Sequence, residues 1–229
     1  MHIPDGLMDP LVAAAGWLLA IAVLAYATRR VNREMDDRRL PLMAVLAAGI
    51  FVAQMLNFPI GAGTTGHLVG AALAAILLGP WAGMAVMMVI LAIQCLLFGD
   101  GGITALGLNF VNMGVIGCLA GYYIHRAFPA RYRSAGAFAA AWLAVFLGAL
   151  ALAFELSFSS LLSGGAFGIA PLIAMPLMSA YYAVIGVGEA IITAGILAYL
   201  VQVAPEMLSK PRPADGDIPP GKGKEAPDG

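Results

Sequence analysis

The amino-acid sequence predicts an all-α, polytopic integral membrane protein, and two observations carry that prediction. The first is composition: of 229 residues, 61% are hydrophobic and only 11% are charged, whereas a soluble domain has about half apolar and about a quarter charged residues. The second is that the apolar residues form continuous runs. The strands of a membrane β-barrel would instead alternate apolar and polar positions. A helix needs about 20 apolar residues to cross the hydrocarbon layer, so the runs predict membrane-spanning helices.

Seven apolar runs are candidate membrane spans. In chain order they cover residues 10–28, 41–58, 67–79, 80–98, 103–124, 135–155 and 177–203. The third run is short, and it meets the fourth at Gly79-Pro80. Proline lacks the N–H that continues a helix, and a glycine–proline pair marks a turn. We therefore expect the third and fourth runs to form a tight helical hairpin.

The basic residues predict how the spans are oriented. All 12 lie in three segments, after the first, fifth and seventh spans: Arg29, Arg30, Arg33, Arg38 and Arg39; Arg126, Arg131 and Arg133; Lys210, Arg212, Lys222 and Lys224. Seven spans place these segments on one side, and the excess of basic residues in cytoplasmic loops makes that side cytoplasmic. The amino terminus is then outside, with the loops 59–66, 99–102 and 156–176, and the carboxy terminus is cytoplasmic.

The chain divides into a membrane-embedded domain and a tail. Residues 1–203 comprise an amino-terminal segment, residues 1–9, and the seven spans. Residues 204–229 are rich in proline, glycine and charge, which predicts a disordered cytoplasmic tail. The first ten residues have no positively charged stretch, so we expect no cleavable signal peptide. We also expect Met1 to be retained, because methionine aminopeptidases require a small second residue.

His2 is the most informative residue of the chain, because it follows the initiator methionine directly. Three nitrogens can bind one metal ion there: the α-amine of Met1, the backbone amide of His2 and its ring Nδ1. The amine and amide close a five-membered chelate ring, and the amide and Nδ1 close a six-membered one. The three nitrogens then lie in one plane with one equatorial position vacant. Planar nitrogen ligation is typical of Ni(II) and Cu(II).

His67 is a candidate for the remaining position, because the charge pattern places it at the outer start of span three, on the same side as His2. The preceding stretch, Gly61 to Gly66, matches G-x-G-x-x-G. A dinucleotide site would need a strand before this motif and an acidic residue about 20 positions after it. A membrane span precedes it here, and no acidic residue occurs between Asp37 and Asp100. We expect the glycines to let an outer loop turn tightly.

Polar residues cluster near the outer half of the predicted bundle. Gln54 and Asn57 stand three residues apart on span two, and Asn109 and Asn112 do so on span five. Each pair can point at one cavity, although hydrogen bonding between helices explains such residues equally well. Histidine ligands need amides and carboxylates to orient their rings. The candidate residues around the ligands are Asp5, Gln54, Asn57, Asp100, Asn109 and Asn112.

Two acidic residues and one histidine are harder to assign. Glu155 and Glu189 fall within predicted spans, and an ionisable group in a membrane is a functional candidate that needs a polar partner. The sequence does not name either partner. His125 adjoins Arg126 at the predicted cytoplasmic end of span five, and we expect it to have no metal role.

Several blocks of the sequence resemble one membrane-protein family. They are Met1-His2-Ile3-Pro4-Asp5-Gly6, Gln54 to Pro59, Gly66-His67-Leu68, Leu77 to Ala82, Leu97 to Gly107, Asn109, and Asn112-Met113-Gly114. Together they are similar to the CbiM/NikM family, the substrate-capturing membrane subunits of energy-coupling-factor (ECF) transporters for cobalt and nickel. The resemblance is dense over residues 1–125, and beyond them it rests on hydropathy.

The resemblance implies seven helices, with the amino-terminal segment tucked into the bundle from outside. It implies that a divalent ion is held by the Met1 amine, the His2 amide and ring, and His67. Pro4-Asp5 is more typical of the nickel members, whereas cobalt members tend towards Met-Glu there. Whether the chain continues past Gly229 is left open, because some relatives carry a fused auxiliary segment after a similar motif.

The resemblance also implies a bacterial cytoplasmic (inner) membrane location and a set of partner proteins. These are a membrane coupling (T) subunit, cytoplasmic ATPase subunits, and a small auxiliary membrane subunit or its fused equivalent. Membrane lipid surrounds such a protein, and no nucleic acid is expected as a partner.

The predicted function is that of a non-enzymatic subunit that captures Ni(II) as its transported substrate. Uptake of Co(II) for corrin synthesis is the alternative within the same class. The sequence contains no phosphate-binding loop, nucleophile elbow or H-E-x-x-H motif, so a partner would have to hydrolyse ATP. A metal-dependent intramembrane hydrolase would need an open coordination position and a general base, which a closed plane of four nitrogens does not offer. A purely structural membrane subunit is the third alternative.

Overall fold

The computed structural model describes residues 1–34, 39–56, 58–61 and 64–204. Within these residues the chain forms eight α-helices: α1 Pro10–Glu34, α2 Leu40–Met55, α3 Ala71–Leu78, α4 Pro80–Ile93, α5 Leu106–Asn109, α6 Gly117–Ala127, α7 Arg133–Leu162 and α8 Pro171–Val203. The π-helical segment Gln94–Phe98 extends α4, and a second one, Phe110–Ile116, joins α5 to α6. A short 3-10 turn, Ala130–Tyr132, precedes α7.

An antiparallel hairpin lies between α2 and α3. Its strands are β1, Phe58–Gly61, and β2, Thr64–Gly66, and the backbone of Phe58 pairs with that of Gly66. The G-x-G-x-x-G match therefore falls on a β-hairpin and not on the strand–turn–helix unit of a dinucleotide site. The predicted all-α class holds for the bundle, with this hairpin as its exception.

Five helical segments of the described chain are long and apolar enough to cross a membrane: Pro10–Arg33, Pro80–Phe98, Leu106–Ala127, Ala130–Leu162 and Pro171–Val203. The protein is thus a multi-pass membrane protein. Helix α2 is apolar but has only 16 residues. The predicted third span, 67–79, is not a complete span, because α3 begins at Ala71 and has 8 residues. At 1.5 Å per residue it is about 12 Å long, against a hydrocarbon layer of about 30 Å.

The predicted hairpin between the third and fourth runs is confirmed. Gly79 has a φ of +86° and separates α3 from α4, which begins at Pro80. The N–H of Gly79 donates to the carbonyl oxygen of Ala75 at 2.9 Å, which closes the last turn of α3. A positive φ of this kind favours glycine.

The predicted outer loop 156–176 is much shorter in the structure, because α7 continues to Leu162 and α8 begins at Pro171. The predicted sixth span ended at residue 155. In the helix, the hydroxyl of Ser157 donates to the carbonyl oxygen of Ala153 one turn earlier, at 2.7 Å. That bond satisfies the hydroxyl without interrupting the helix.

Helix α3 is enclosed in the middle of the bundle, where it packs against α4, α6 and α7. Small residues allow this approach. A side chain at Gly121 of α6 would come within 2.6 Å of the Cα of Ala72, and one at Gly117 within 2.7 Å of the Cβ of Ala71. Because α3 is buried along its length, the residues that precede it, 67–70, are delivered into the interior of the protein.

Candidate metal site

The amino-terminal segment enters the bundle ahead of α1 and is held there by its backbone. Ile3 is only 1% exposed. Its N–H donates to Oδ1 of Asn109 at 2.8 Å. Its carbonyl oxygen accepts from the N–H of Gly102 at 2.8 Å and from Nδ2 of Asn109 at 3.2 Å. The amide of Asn109 thus pairs with both backbone groups of Ile3, which fixes the two residues before it.

Asp5 fastens the same segment to the loop before α5. Its carboxylate accepts from the N–H groups of Ile103 and Thr104, at 3.0 and 2.8 Å, and from the hydroxyl of Thr104 at 2.5 Å. These hydrogen bonds, led by that of the Thr104 hydroxyl, hold the pKa of the Asp5 carboxyl below its ordinary value. Close packing completes the junction, because a Cβ on Gly102 would lie 2.3 Å from the backbone nitrogen of Asp5.

The Met1 amine, His2 and His67 meet inside the bundle. The amine nitrogen of Met1 lies 3.4 Å from Nε2 of His67. The rings of His2 and His67 are stacked, with centroids 5.0 Å apart and planes 29° from parallel. Met1 and His67 are both buried, at 8% exposure. The three residues that the sequence nominated as ligands are therefore neighbours in space.

Burial keeps the Met1 amine and the His2 ring uncharged. It lowers the pKa of the Met1 amine to about 5, against the opposing influence of Asp100. It also lowers the pKa of the His2 ring to about 3, and the charge of the amine acts in the same direction. At neutral pH both groups are neutral and carry lone pairs, which is the protonation state that a metal ion requires of its ligands.

Hydrogen bonds orient the two histidine rings. Nδ1 of His67 lies 2.7 Å from the carbonyl oxygen of Leu68. A carbonyl oxygen only accepts, so Nδ1 carries the hydrogen and Nε2, the atom near the Met1 amine, carries the lone pair. Nε2 of His2 lies 3.1 Å from Oε1 of Gln94. Donation along that bond leaves the lone pair of His2 on Nδ1, the atom that would close the six-membered chelate ring.

Nδ1 of His2 faces Asp100. The distance from Nδ1 to Oδ1 of Asp100 is 3.4 Å. Because the His2 ring is neutral at pH 7, this contact is not an ion pair. A ring lone pair and a carboxylate oxygen face each other across this distance, and a cation placed between or beside them is attracted by both.

The polar residues nominated around the ligands divide into two groups. Asp5 fastens the amino-terminal segment to the loop before α5, and Asp100 and Asn109 contact that segment, as described above. Gln54 reaches the segment through Gln94, whose Nε2 donates to Oε1 of Gln54 at 2.7 Å. Asn112 instead donates to Oε2 of Glu155 at 2.7 Å. Asn57 lies outside the residues that the structure describes.

Asn109 therefore hydrogen-bonds to Ile3 and Asn112 to Glu155, whereas their spacing suggested that both face one cavity. Asn109 ends α5, and Asn112 lies in the π-helical segment that follows. The wider π-helical turn shifts the register of side chains relative to an α-helix, so the three-residue spacing does not keep the two amides on one face.

Gln94 is the functional residue that the sequence analysis missed. It is fully buried, at 0% exposure, and it contacts His2 directly. A signal was present: Gln94 is the one side chain between Pro80 and Phe98 that carries an amide or a charge. An isolated polar residue in an apolar span must find a polar partner inside the protein.

His125 lies in the last turn of α6, beside Arg126. Asn109 lies 16 residues earlier in the same helical run, which at 1.5 Å per residue is about 24 Å away. Within the described residues no group of three or more His, Cys, Asp or Glu side chains could hold a metal ion. The candidate site therefore depends on the amino-terminal nitrogens as well as on two imidazoles.

Comparison with known proteins agrees with this picture. The family model "CbiM: Cobalt uptake substrate-specific transmembrane region" matches residues 2–207. A protein of Archaeoglobus fulgidus provisionally named as a fused nickel transport protein, NikMN, is 43% identical over 210 residues, covering 92% of this chain and 68% of the relative. A provisionally named metal transport protein of Haloquadratum walsbyi is 45% identical over 208 residues, covering 91% and 93% of the two chains.

A solved structure has the same fold. The crystal structure of a truncated transition metal transporter superposes with a TM-score of 0.82 at 37% identity, covering 88% of this chain and 98% of that one. These relatives are named as transport proteins and not as enzymes. The match to the family extends over nearly the whole described chain, so the protein belongs to the CbiM family of cobalt uptake substrate-specific transmembrane regions.

Proposed function

We propose that the chain is the substrate-binding subunit of an ECF-type transporter, which captures Ni(II) at the outer face of the membrane and passes it inward. The ligands are the Met1 amine, the His2 amide nitrogen and Nδ1, and Nε2 of His67. One observation carries the proposal: in the interior of the protein the Met1 amine lies 3.4 Å from the ring of His67, and that ring stacks on the ring of His2. Those nitrogens can supply a planar set, which suits Ni(II) and disfavours Zn²⁺ and Mg²⁺ by geometry.

Asp100 supports a cationic substrate. Its carboxylate faces Nδ1 of His2, and it is 32% exposed, so it can attract an ion from solvent before the ion loses its water. Moving a divalent cation from water into a buried site is otherwise costly, and a nearby carboxylate offsets part of that cost.

The proposed orientation places the amino terminus outside and the carboxy terminus in the cytoplasm. Its support is that Arg30, Arg39 and Arg126 line one pocket together with the α3–α4 turn at Gly79 and Pro80. Basic residues from two of the three basic segments therefore lie at one end of the bundle, in agreement with an excess of basic residues on the cytoplasmic side. Gln94 lies about 21 Å along α4 from Pro80 at 1.5 Å per residue, which puts the site near the opposite end.

A count of seven membrane-inserted helical elements is part of this proposal. The five long segments, α2 and the buried α3 make up that number. Helix α3 enters the bundle without crossing the membrane by itself, and the non-helical residues 67–70 complete its path towards the outer face.

The proposed partners are a membrane coupling subunit, cytoplasmic ATPase subunits and a small auxiliary membrane subunit or fused equivalent, in a bacterial cytoplasmic membrane. The sequence has no phosphate-binding loop, and the proposal therefore assigns ATP hydrolysis to the partner ATPase subunits. The relative named as a fused nickel transport protein extends beyond the part that this chain matches, which is consistent with an auxiliary segment supplied separately or by fusion.

Cobalt is the second candidate substrate, because the matching family is described as a cobalt uptake region. Metal analysis of the purified chain decides between the two ions. We expect one Ni(II) per chain, retained against an equal concentration of Co(II), with the absorption bands of planar Ni(II). Preferential retention of Co(II) would make cobalt the substrate, and a chain that binds neither ion would refute the proposal.

A further inference from the structure

A chain of hydrogen bonds connects α8 to the ring of His2. It begins at Glu189, which is 2% exposed and lies within α8. The two carboxylate oxygens of Glu189 accept from the N–H groups of Val69 and Gly70, at 2.6 and 2.7 Å. Val69 and Gly70 follow His67 closely and precede the first turn of α3. Glu189 thus clamps the segment that carries a candidate ligand.

The carbonyl oxygen of Val69 fixes the direction of every hydrogen bond between Gln54 and His2. Nε2 of Gln54 donates to the carbonyl oxygen of Val69 at 2.6 Å, and a carbonyl cannot donate in return. Oε1 of Gln54 therefore points the other way and accepts from Nε2 of Gln94. Oε1 of Gln94 then faces His2, so the hydrogen of the His2 ring must be on Nε2. Nδ1 is left with the lone pair.

The neighbouring carbonyl, that of Leu68, fixes the tautomer of His67. The carbonyl oxygen of Leu68 accepts from Nδ1 of His67, which leaves the lone pair of His67 on Nε2. Two successive carbonyls, those of Leu68 and Val69, therefore impose opposite tautomers on the two histidines. Each tautomer leaves the lone pair on the ring nitrogen that the proposed ligand set uses.

We propose that Glu189 is a positioning residue for both histidines: by clamping Val69 and Gly70 it holds the Leu68 and Val69 carbonyls where they fix the tautomer of His67 and, through Gln54 and Gln94, that of His2. This inference rests on the proposed metal site but concerns a residue with no contact to it. An ionisable residue buried in a membrane protein is a candidate for a function, and this proposal gives Glu189 that function.

A carboxylate is needed at this position because two N–H groups converge on it. An amide would offer one acceptor oxygen and one NH₂ group, so one of the two N–H groups would face a donor. The backbone is shaped for this contact. Gly70 has a φ of +74°, and a Cβ there would lie 2.6 Å from Cγ2 of Ile50, so glycine alone allows the turn that aims both N–H groups at Glu189.

The test uses ¹⁵N-histidine labelling of the metal-free full chain, because three histidines give three sets of ring signals. In the parent chain we expect the hydrogen on Nε2 for His2 and on Nδ1 for His67. Glu189→Gln should give mixed tautomers at both residues and weaken Ni(II) binding about 10- to 100-fold, the range found when an outer hydrogen-bond partner of a metal ligand is lost. His125 should keep its signals.

Thr193→Val is the matched control. Thr193 lies one turn from Glu189 on α8, is buried, and its hydroxyl makes no hydrogen bond to the described residues. We expect this variant to keep the parent tautomers and the parent affinity. A loss of affinity equal to that of Glu189→Gln would mean that α8 is merely sensitive to substitution, and it would overturn the positioning role.

Gln94→Leu provides a second route if Glu189→Gln does not fold. It interrupts the chain of hydrogen bonds after Val69, so it should give mixed tautomers at His2 while His67 keeps the hydrogen on Nδ1. Equal effects on both residues would contradict the proposal. So would parent-like ring signals and parent-like affinity in Glu189→Gln.

The failure of the metal proposal would look different. A parent chain that shows the two opposite tautomers but binds neither Ni(II) nor Co(II) would refute the transport function and still support the role of Glu189. A parent chain that binds Ni(II) but carries the same tautomer at both histidines would support the function and refute the role of Glu189.

Discussion

The amine nitrogen of Met1 and Nε2 of His67 lie 3.4 Å apart, although 66 positions separate the two residues in the chain. The amine is at the end of a segment that carries no regular secondary structure, and the ring precedes a helix buried in the middle of the bundle. Neither residue is placed by its own local structure. Their proximity is produced by Asn109 and Gly102, which hold Ile3, and by Glu189, which holds Val69 and Gly70.

The amino terminus gives the most direct test of the ligand set. One glycine added before Met1 moves the free amine away from His2 and removes the five-membered chelate ring, although every side chain remains. We expect this extended chain, or a chain acetylated at the amine, to lose high-affinity Ni(II) binding in calorimetric titration. A tag after Gly229 is the control and should be harmless. Tight binding by the extended chain, with unaltered d–d absorption, would show that the amine is not a ligand.

The second prediction concerns His67. Replacing it with alanine removes one of four equatorial nitrogens, so the dissociation constant for Ni(II) should rise more than about 100-fold, beyond the range caused by losing an outer hydrogen-bond partner. The helical content should persist, because residue 67 lies outside the helices. His125→Ala should bind as the parent does, since His125 lies at the far end of α6. An unchanged constant for His67→Ala would remove that residue from the site.

The third prediction tests the junction between the amino-terminal segment and the loop before α5. In Gly102→Ala the new Cβ would lie 2.3 Å from the nitrogen and 2.4 Å from Oδ1 of Asp5, so the segment must shift. Overpacking typically costs about 1–3 kcal/mol, which corresponds to roughly a 10- to 100-fold loss in Ni(II) affinity. Gly195→Ala in α8 is the control, because a Cβ there meets nothing within 4 Å. Equal affinities in both variants would contradict this prediction.

The fourth prediction concerns protons. With imidazole at its reference pKa of about 6.5, binding would weaken below about pH 6. Burial lowers the pKa of the Met1 amine from 8.0 to about 5 and that of His2 from 6.5 to about 3. Proton competition at the amine should therefore begin near pH 5. At pH 7 the metal should displace about one proton, that of the amide, because the amine is already neutral.

Calorimetry in buffers of different ionisation enthalpy counts those protons. A release of about two protons at pH 7 would mean that the amine has its ordinary pKa, since a metal displaces every proton that its ligands carry.

The lowered pKa of the Met1 amine also affects the stability of the inserted segment. Between pH 8 and pH 5 the released segment binds more protons than the inserted one, so insertion of the metal-free segment weakens as pH falls through that window. Because the segment is released more often at lower pH, the Met1 amine of the metal-free chain should become more accessible. Its labelling rate at pH 6 should therefore be higher than the rate expected from the pH dependence of a free amine and from its burial at pH 8.

The fifth prediction concerns energy. The purified chain should bind metal but release no phosphate from ATP, because its sequence contains no phosphate-binding loop. Phosphate release is measured with and without Ni(II), after partner proteins have been removed. ATP hydrolysis by the single chain would contradict its proposed role as a binding subunit that depends on a separate ATPase.

Composition and continuous apolar runs were sufficient for the membrane class, since these are properties that a helix in lipid requires whatever its neighbours are. They also predicted the α3–α4 hairpin, because Gly79 and Pro80 act locally. They misjudged the third run. Residues 67–70 are apolar apart from His67, but they are not helical, because the backbone N–H groups of Val69 and Gly70 bind a distant carboxylate and not helical carbonyls.

The sequence by itself determined which atoms are available as ligands, because the chelate rings at Met1 and His2 depend only on covalent connectivity. It also nominated His67 and most of the polar residues around it. Only the tertiary structure decided that Gln94 contacts His2, that Asn112 serves Glu155, and that Glu189 binds the segment after His67. The physical reason is that hydrogen bonds between buried polar groups are set by the packing of whole helices, and the spacing of residues along one helix does not contain that information.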